Sequence, residues 1–266
     1  MGKLLAIDGL GLVRRVYQAN PEPDSAEKAE LALRNCQLSF RKLMNAHQPS
    51  HAFAVFDAAG HTWRHDILPE YRAHREPMPQ ALHEALPAFQ EKLKETGLAV
   101  LAVAGAEPKD AIATACLRWL KDERGEAVVA SVERDLHILI AHGARLWDHF
   151  KNEWRDAAWV EKKYGVKPEQ MTDLVALMGD ADDGIPGVEK IGIKTAARLL
   201  RSYGDLEGVM AGAGILLDTM GERLRRDRDA AFLSRRLAVL KSDVQLGVTW
   251  NMLAWDAARQ NLMPRR

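Results

Sequence analysis

Cysteine is scarce: two in 266 residues, Cys36 and Cys116, which offers no disulfide framework. Both fall in helix-like stretches, with no CxxC and no histidine at ligand spacing, so they read as buried thiols in a reducing compartment. No run approaches the ~20 apolar residues that a membrane span needs. The apolar opening MGKLLAIDGLGL is broken at Asp8, and no small-residue cleavage site follows, so the expectation is a cytoplasmic chain. Charge of one sign is lacking too. Lysine plus arginine and aspartate plus glutamate both number 37, so net charge names no partner, although a zero sum hides local patches. There is no internal repeat, no low-complexity segment and no Walker A loop, which leaves a nucleotide-driven ATPase without its phosphate cradle.

What remains is a chain with 47% hydrophobic and 28% charged residues, enough for a sizeable core. Short apolar runs alternate with helical patterns up to about residue 160. KLLAIDG, HAFAVFDAAG, LAVLAVAG, EAVVASVERD and ARLWDHF read as strands; SAEKAELALRNCQLSFRKLMNAH, PQALHEALPAFQEKLKETG, PKDAIATACLRWLKDERG and DLHILIAHG read as helices. That order predicts an α/β unit over 1–160, a mostly parallel central sheet with helices on both faces. The strand signals then fade. KPEQMTDLVALMGD, IKTAARLLRSYG, DLEGVMAGAG and DRDAAFLSRRLAVLKSD predict a smaller helical unit over 161–266. Residues 58–80 form a long, basic, aromatic and weakly periodic connection, a type of loop that commonly carries function.

Carboxylates recur where strands end. Asp8 and Asp57 close the first two strands. Glu107 and Asp110 follow the third at i, i+3 spacing, with Pro108 suited to the first helical position. Glu133 and Asp135 follow the fourth, and Asp180 and Asp183 come from the helical unit. Ligands of such sheets bind beyond the carboxyl ends of the strands. Clustered carboxylates without His or Cys suit Mg²⁺ or Mn²⁺, and two such ions ~4 Å apart serve phosphoryl chemistry. The stretch LMGDADDGIPGVEKIGIKTAARLL adds a second element. Gly187 and Gly192 precede a helix starting near Lys194 and Thr195, where outward N–H groups and the helix dipole favour phosphate. Lys190, Lys194, Arg198 and Arg201 make the neighbourhood basic, as in a helix–turn–helix that holds nucleic-acid backbone. DADDGIPG lacks the glycine position and closing Glu of an EF-hand. The acids then address the scissile phosphate, and the glycine turn grips one farther along.

LLAIDG, AVFDAAGHTWRHDILPEYRAHR, GAEPKDAIAT, VVASVERDL and the glycine stretch, in that order, resemble the 5′-nuclease (flap endonuclease) family. The resemblance spans nearly the whole chain. It implies a PIN-like nuclease domain, a helical arch at about 58–80 and a C-terminal helix–three-turn–helix clamp. It implies Mg²⁺- or Mn²⁺-dependent cleavage of DNA at 5′ flaps and ends, in replication and repair, by a monomer. By the same carry-over, Asp8, Asp57, Glu107, Asp110, Glu133, Asp135, Asp180 and Asp183 are metal ligands. Arg15 stands near the scissile phosphate, and Arg72 and Arg75 at the base of the arch. Tyr71 stacks on a base and Trp63 packs internally. Leu177, Met178, Pro186, Val188 and Ile191 offer backbone carbonyls to K⁺, while Gly187, Lys190, Ile191, Gly192, Ile193, Lys194 and Thr195 meet DNA.

Two positions depart from the family pattern. Glu133 stands for a usual aspartate, and Lys109 replaces an aspartate expected to bind metal. At an effective dielectric near 20, one unit pair ~4 Å apart is worth ~4 kcal/mol, so an inward Lys109 weakens one metal site. Two rival readings follow: a flap-DNA-binding relative with little or no catalysis, and an RNA-directed nuclease on a related sheet.

Overall fold

The computed structural model describes residues 1–216 and 218–255. Strands β1 (Gly2–Asp8), β2 (His51–Phe56), β3 (Ala99–Ala102), β4 (Gly125–Ala130), β5 (Arg145–Asp148) and β6 (Glu153–Arg155) form one sheet in the order β3-β2-β1-β4-β5-β6. All pairings are parallel except β5–β6. The antiparallel β6 was hidden in the sequence because three residues carry no period.

Alternation along β1 and β2 divides two cores. Leu5, Ile7, Ala52, Ala54 and Phe56 face one layer, which holds α1 (Gly9–Gln18), α2 (Ala26–His47) and α4 (Gln80–Glu95). Leu4, Ala6, Phe53 and Val55 face the other, against α5 (Pro108–Lys121). With both faces covered, the strands read as continuous apolar runs. α3 (Trp63–Ile67) is the one helix within 58–80; Arg64 on it and Tyr71 beyond it are buried, which holds the segment down. DLHILIAHG is a 3₁₀ helix over Asp135–His142 rather than an α-helix.

A third core joins α6 (Ala157–Tyr164), α7 (Met171–Met178), α8 (Ile193–Tyr203), α9 (Leu206–Gly212), α10 (Thr219–Arg226) and α11 (Arg228–Ala238). The helical pattern expected to run to Asp243 stops at Ala238. The chain then returns to the sheet: the Lys241 carbonyl accepts the Thr114 hydroxyl, α12 (Trp250–Leu253) packs Leu253 into the α5 layer, and Trp255 N–H donates to Ser50. Among the described residues no helix is long and apolar enough to cross a membrane. Cys36 and Cys116 are free and buried.

Candidate active site

The strand order reverses between β1 and β4, and the carboxyl ends there bound a cavity of about 90 Å³. Asp8, Asp57, Glu107 and Glu133 line it, each just past a strand end. Arg14, Arg72, Arg75 and Lys109 line it too, over a floor that includes Leu10, Ile112 and Leu136.

Asp8 caps α1 by accepting the Gly11 N–H at 2.8 Å and takes the Ser131 hydroxyl at 2.8 Å. Burial nevertheless raises its pKa. Burial also raises that of Asp57, against the pull of Arg72 and Arg14, although its side chain stays solvent-exposed at the mouth. Glu133 is pushed up to about 7, first by burial and then by Asp135. Glu107 is 2% exposed. Arg72 Nη2 lies 2.8 Å and Arg64 Nη1 3.1 Å from its oxygens, yet neither oxygen receives a hydrogen bond of good geometry. Four carboxylates and four cations thus share the cavity, and burial rather than missing counter-charge is the first cause that raises Asp8, Asp57 and Glu133.

The other four acids do not line the cavity; each is bonded to a cation, and three of those cations, Arg64, Arg72 and Lys109, also approach Glu107. Asp110 does not share the cavity with Glu107. At the third helical position it turns back to accept the Glu107 N–H, as in a capping box. Arg64 then takes it in bidentate fashion at 2.7 and 3.0 Å, and Trp63 Nε1 and the Lys241 N–H complete its bonds. Asp135 receives Lys109 Nζ at 2.6 Å. Burial opposes its ionisation, but Lys109 and Arg134 outweigh burial and lower its pKa. Asp180 takes Arg134 at 2.5 Å. Asp183 takes Arg72 at 2.7 and 3.2 Å and the Tyr71 hydroxyl at 3.0 Å. Against burial, Arg72 and Lys109 hold Asp183 well below the usual carboxylate range. Lys109 is 4% exposed, and its ammonium also lies 3.7 Å from both Glu107 and Asp183. It points inward, and burial does not discharge it because Asp135 and Glu107 raise its pKa. Among the described residues, no three acidic, histidine or cysteine side chains stand ready to share one ion.

Two further expectations change. Arg15 is not on the cavity; its guanidinium carbon lies 4.5 Å from the Phe150 ring centroid. One helical step rotates a side chain by about 100°, so Arg14 faces the cavity instead, the residue that the sequence reading missed. Tyr71 is 1% exposed and bonded to Asp183, so its ring is not presented to a base. Trp63 is packed as expected, against the Arg64 guanidinium.

The glycine hairpin is braced from behind. The Gly187 N–H donates to buried Ser234 at 2.8 Å, and the Glu189 N–H donates to Asp227 at 2.9 Å. Gly179 and Gly187 (φ +70 and +65) bring two backbone segments so close that a Cβ on either would strike the other segment. Leu177 and Val188 carbonyls accept the Val188 and Ile191 N–H groups in this turn, where Met178 and Pro186 also lie. α8 opens at Gly192 with no side-chain cap, which leaves first-turn N–H groups of Ile193 and Lys194 facing outward. Lys190 and Lys194 are exposed; Thr195 is half-buried.

Comparison with known proteins agrees with this architecture. The family model described as 5′-3′ exonuclease, N-terminal resolvase-like domain, matches residues 3–165, and that described as 5′-3′ exonuclease, C-terminal SAM fold, matches residues 166–261. The chain is 39% identical over 247 residues to flap endonuclease Xni of Shewanella amazonensis, covering 92% of this chain and 95% of the relative. It is 36% identical over 248 residues to flap endonuclease Xni of Shewanella putrefaciens, covering 93% of each. In fold it is similar to T5 5′-exonuclease with bound zinc, with a TM-score of 0.72 over 89% of each chain at 20% identity. It is also similar to the catalytic core of Rad2 in complex with DNA substrate, with a TM-score of 0.62 at 14% identity over 98% of this chain and 85% of that one. With both halves matched and relatives above a third identical end to end, the chain belongs to the 5′-3′ exonuclease family.

Proposed function

We propose that the protein is a metal-dependent, structure-specific 5′-nuclease that hydrolyses DNA phosphodiesters at 5′ flaps and ends, as its named relatives suggest. The observation that carries this reading is one cavity at the strand switch point, lined by four carboxylates together with Arg14, Arg72, Arg75 and Lys109. The unbonded, buried oxygens of Glu107 and the raised Asp8 and Glu133 fit a divalent cation. Asp8, Asp57, Glu107 and Glu133 do not yet converge on one point, and would have to close around Mg²⁺ or Mn²⁺ to hold it. Asp110, Asp135, Asp180 and Asp183 are already neutralised by Arg64, Lys109, Arg134 and Arg72, and do not fit a second ion in this arrangement.

When bound, the ion supplies Lewis-acid charge at the scissile phosphate and acidifies a water. The chain's own residues do the rest. Arg14, Arg72 and Arg75 face the phosphate with fixed positive charge and orient it. Glu133, which burial raises to about 7 when no ion is present, would give up that proton on ligating the ion. Gly187, Lys190, Ile191, Gly192, Ile193, Lys194 and Thr195 grip duplex backbone, and carbonyls of Leu177, Met178, Pro186, Val188 and Ile191 would seat K⁺ in the hairpin. Asp183 ties that hairpin segment to the connection after α3 through Arg72, and Asp180 ties it to the turn after β4 through Arg134, which would set the distance from grip to cut.

The test is a labelled 5′-flap DNA duplex, with a matched RNA flap, incubated with wild type and Asp8→Ala in Mg²⁺ and in chelator. Metal-dependent DNA cutting lost in Asp8→Ala is expected. Lys109, 2.6 Å from Asp135, favours a second reading, a flap-binding relative that does not cut. Tight binding in chelator with no cutting in Mg²⁺ would establish it. Faster cutting of the RNA flap would point to the RNA-directed reading.

A further inference from the structure

β5 ends at the same edge of the sheet as β1 and β4, one strand beyond the end that carries Glu133. The turn after it is tightly held. Asp148 is fully buried, and its Oδ1 accepts the N–H groups of Phe150 at 3.0 Å and Lys151 at 3.2 Å. Its Oδ2 takes the Arg155 guanidinium at 2.5 Å. A buried, hydrogen-bonded charge pair of this kind sets the shape of the turn before any ligand arrives.

The turn presents Phe150, 39% exposed. The Arg15 guanidinium lies over that ring, and His149 meets it nearly edge-on with centroids 5.5 Å apart. Lys42 on α2 is close enough to His149 to lower its pKa, after burial, which favours the neutral ring. Lys42 and Lys151 are exposed. Arg15, Lys42 and Lys151 make no ion pair with a carboxylate among the described residues, whereas Arg72 and Lys109 of the cavity are paired at 2.7 and 2.6 Å.

An exposed ring under a guanidinium plane, with unpaired ammonium groups beside it, has a definite complement. A peptide's apolar side chain leaves the cations unused, and a lone phosphate leaves the ring unused. A single-stranded nucleotide supplies both a π-face for the stack and a phosphate for the lysines. We propose that Arg15 and Phe150, flanked by Lys42 and Lys151, form a stacking site for an unpaired base of the single-stranded arm of the DNA substrate. Arg15 follows the cavity-lining Arg14 on α1, and the inference rests on the nuclease reading for which strand arrives there.

The experiment measures equilibrium binding in chelator of a duplex with a 5′ single-stranded arm and of the blunt duplex alone. Wild type, Phe150→Ala, Phe150→Trp and the double variant Lys42→Ala/Lys151→Ala are compared, with thermal melts to check folding. Phe150→Ala is expected to weaken arm-bearing DNA by roughly fivefold or more while leaving blunt duplex unchanged. Phe150→Trp keeps the arm preference. The lysine double variant lowers the salt dependence of arm binding by about one to two phosphate contacts. Unchanged arm affinity in Phe150→Ala, or an equal loss on both duplexes, overturns the platform. Cutting by wild type in Mg²⁺ is recorded alongside. An arm preference that depends on Phe150 in a protein that never cuts refutes the nuclease reading alone; cutting with no Phe150 effect refutes the platform alone.

Discussion

Asp8 and Asp183 are both buried aspartates, 9% and 5% exposed, and burial leaves them in opposite states. Asp8 meets a hydroxyl and one N–H, and its pKa rises. Asp183 meets Arg72 and lies near Lys109, and its pKa falls. The same division runs through the whole acid set. The half at the strand ends lines a cavity that Arg14, Arg72, Arg75 and Lys109 also line, yet among the described residues none of its carboxylates accepts a well-aligned hydrogen bond from these cations. The half toward the helical unit is tied to guanidinium and ammonium groups. A carboxylate without a partner in low dielectric seeks a proton or a metal, and one already paired seeks neither. Residue type therefore does not fix a buried carboxylate's state; its neighbours decide.

The largest effect expected from breaking this contrast is on the open half. Asp8→Ala should lower flap cleavage by more than the ~100-fold that marks loss of an outer-shell partner, with folding retained by circular dichroism. On the tethered half the loss should appear in stability. Arg64 and Asp110 are both fully buried, so Asp110→Ala removes the bidentate partner of a guanidinium that keeps only Glu107 at 3.1 Å and two carbonyls, and should cost about 3 kcal/mol in urea unfolding. An apolar pair, Arg64→Met with Asp110→Leu, should recover part of that. Lys109→Asp joins the halves: it removes the 2.6 Å partner of Asp135 and one cation near Asp183, and should raise the number of Mn²⁺ ions bound per chain, counted by equilibrium dialysis.

The halves should also respond oppositely to pH without metal. Glu133 rises from the usual 4.5 to about 7, so the folded state holds its proton more tightly. Its contribution to stability is full below 4.5 and is lost as pH rises through about 7. Asp135 and Asp183 are lowered from 3.8, so theirs is present above 3.8 and lost as pH falls further. Thermal melts of wild type and Glu133→Gln across this range should show the neutral-side slope only in wild type. The smallest effect should come from Ser234→Ala. It removes the acceptor of the Gly187 N–H, a bond worth about 1 kcal/mol, so duplex binding should weaken roughly fivefold with the cavity untouched.

The open half was legible residue by residue. Asp8, Asp57, Glu107 and Glu133 each follow an apolar run, and strand ends of a parallel sheet converge on one edge. Lys109 was legible as a discordant charge, though not its orientation. The tethered half was not legible, because Arg64, Arg72 and Arg134 meet their acids across 46, 111 and 46 residues of sequence. Tyr71 shows the same limit: a tyrosine beside arginines reads as a stacking residue until the contact with Asp183, 112 residues away, buries it. Arg14 and Arg15 were separable only by the rotation of α1, whose start is set by the Asp8 cap.

The sequence by itself determined the α/β order, the two-layer cover of the sheet, the glycine hairpin and the family, because periodicity, turn chemistry and motif spacing are local. Tertiary structure alone decided which carboxylates remain open and which are quenched. Coulombic pairing depends on distance in space, and only the folded chain brings Lys109 to Asp135 or Arg72 to Asp183.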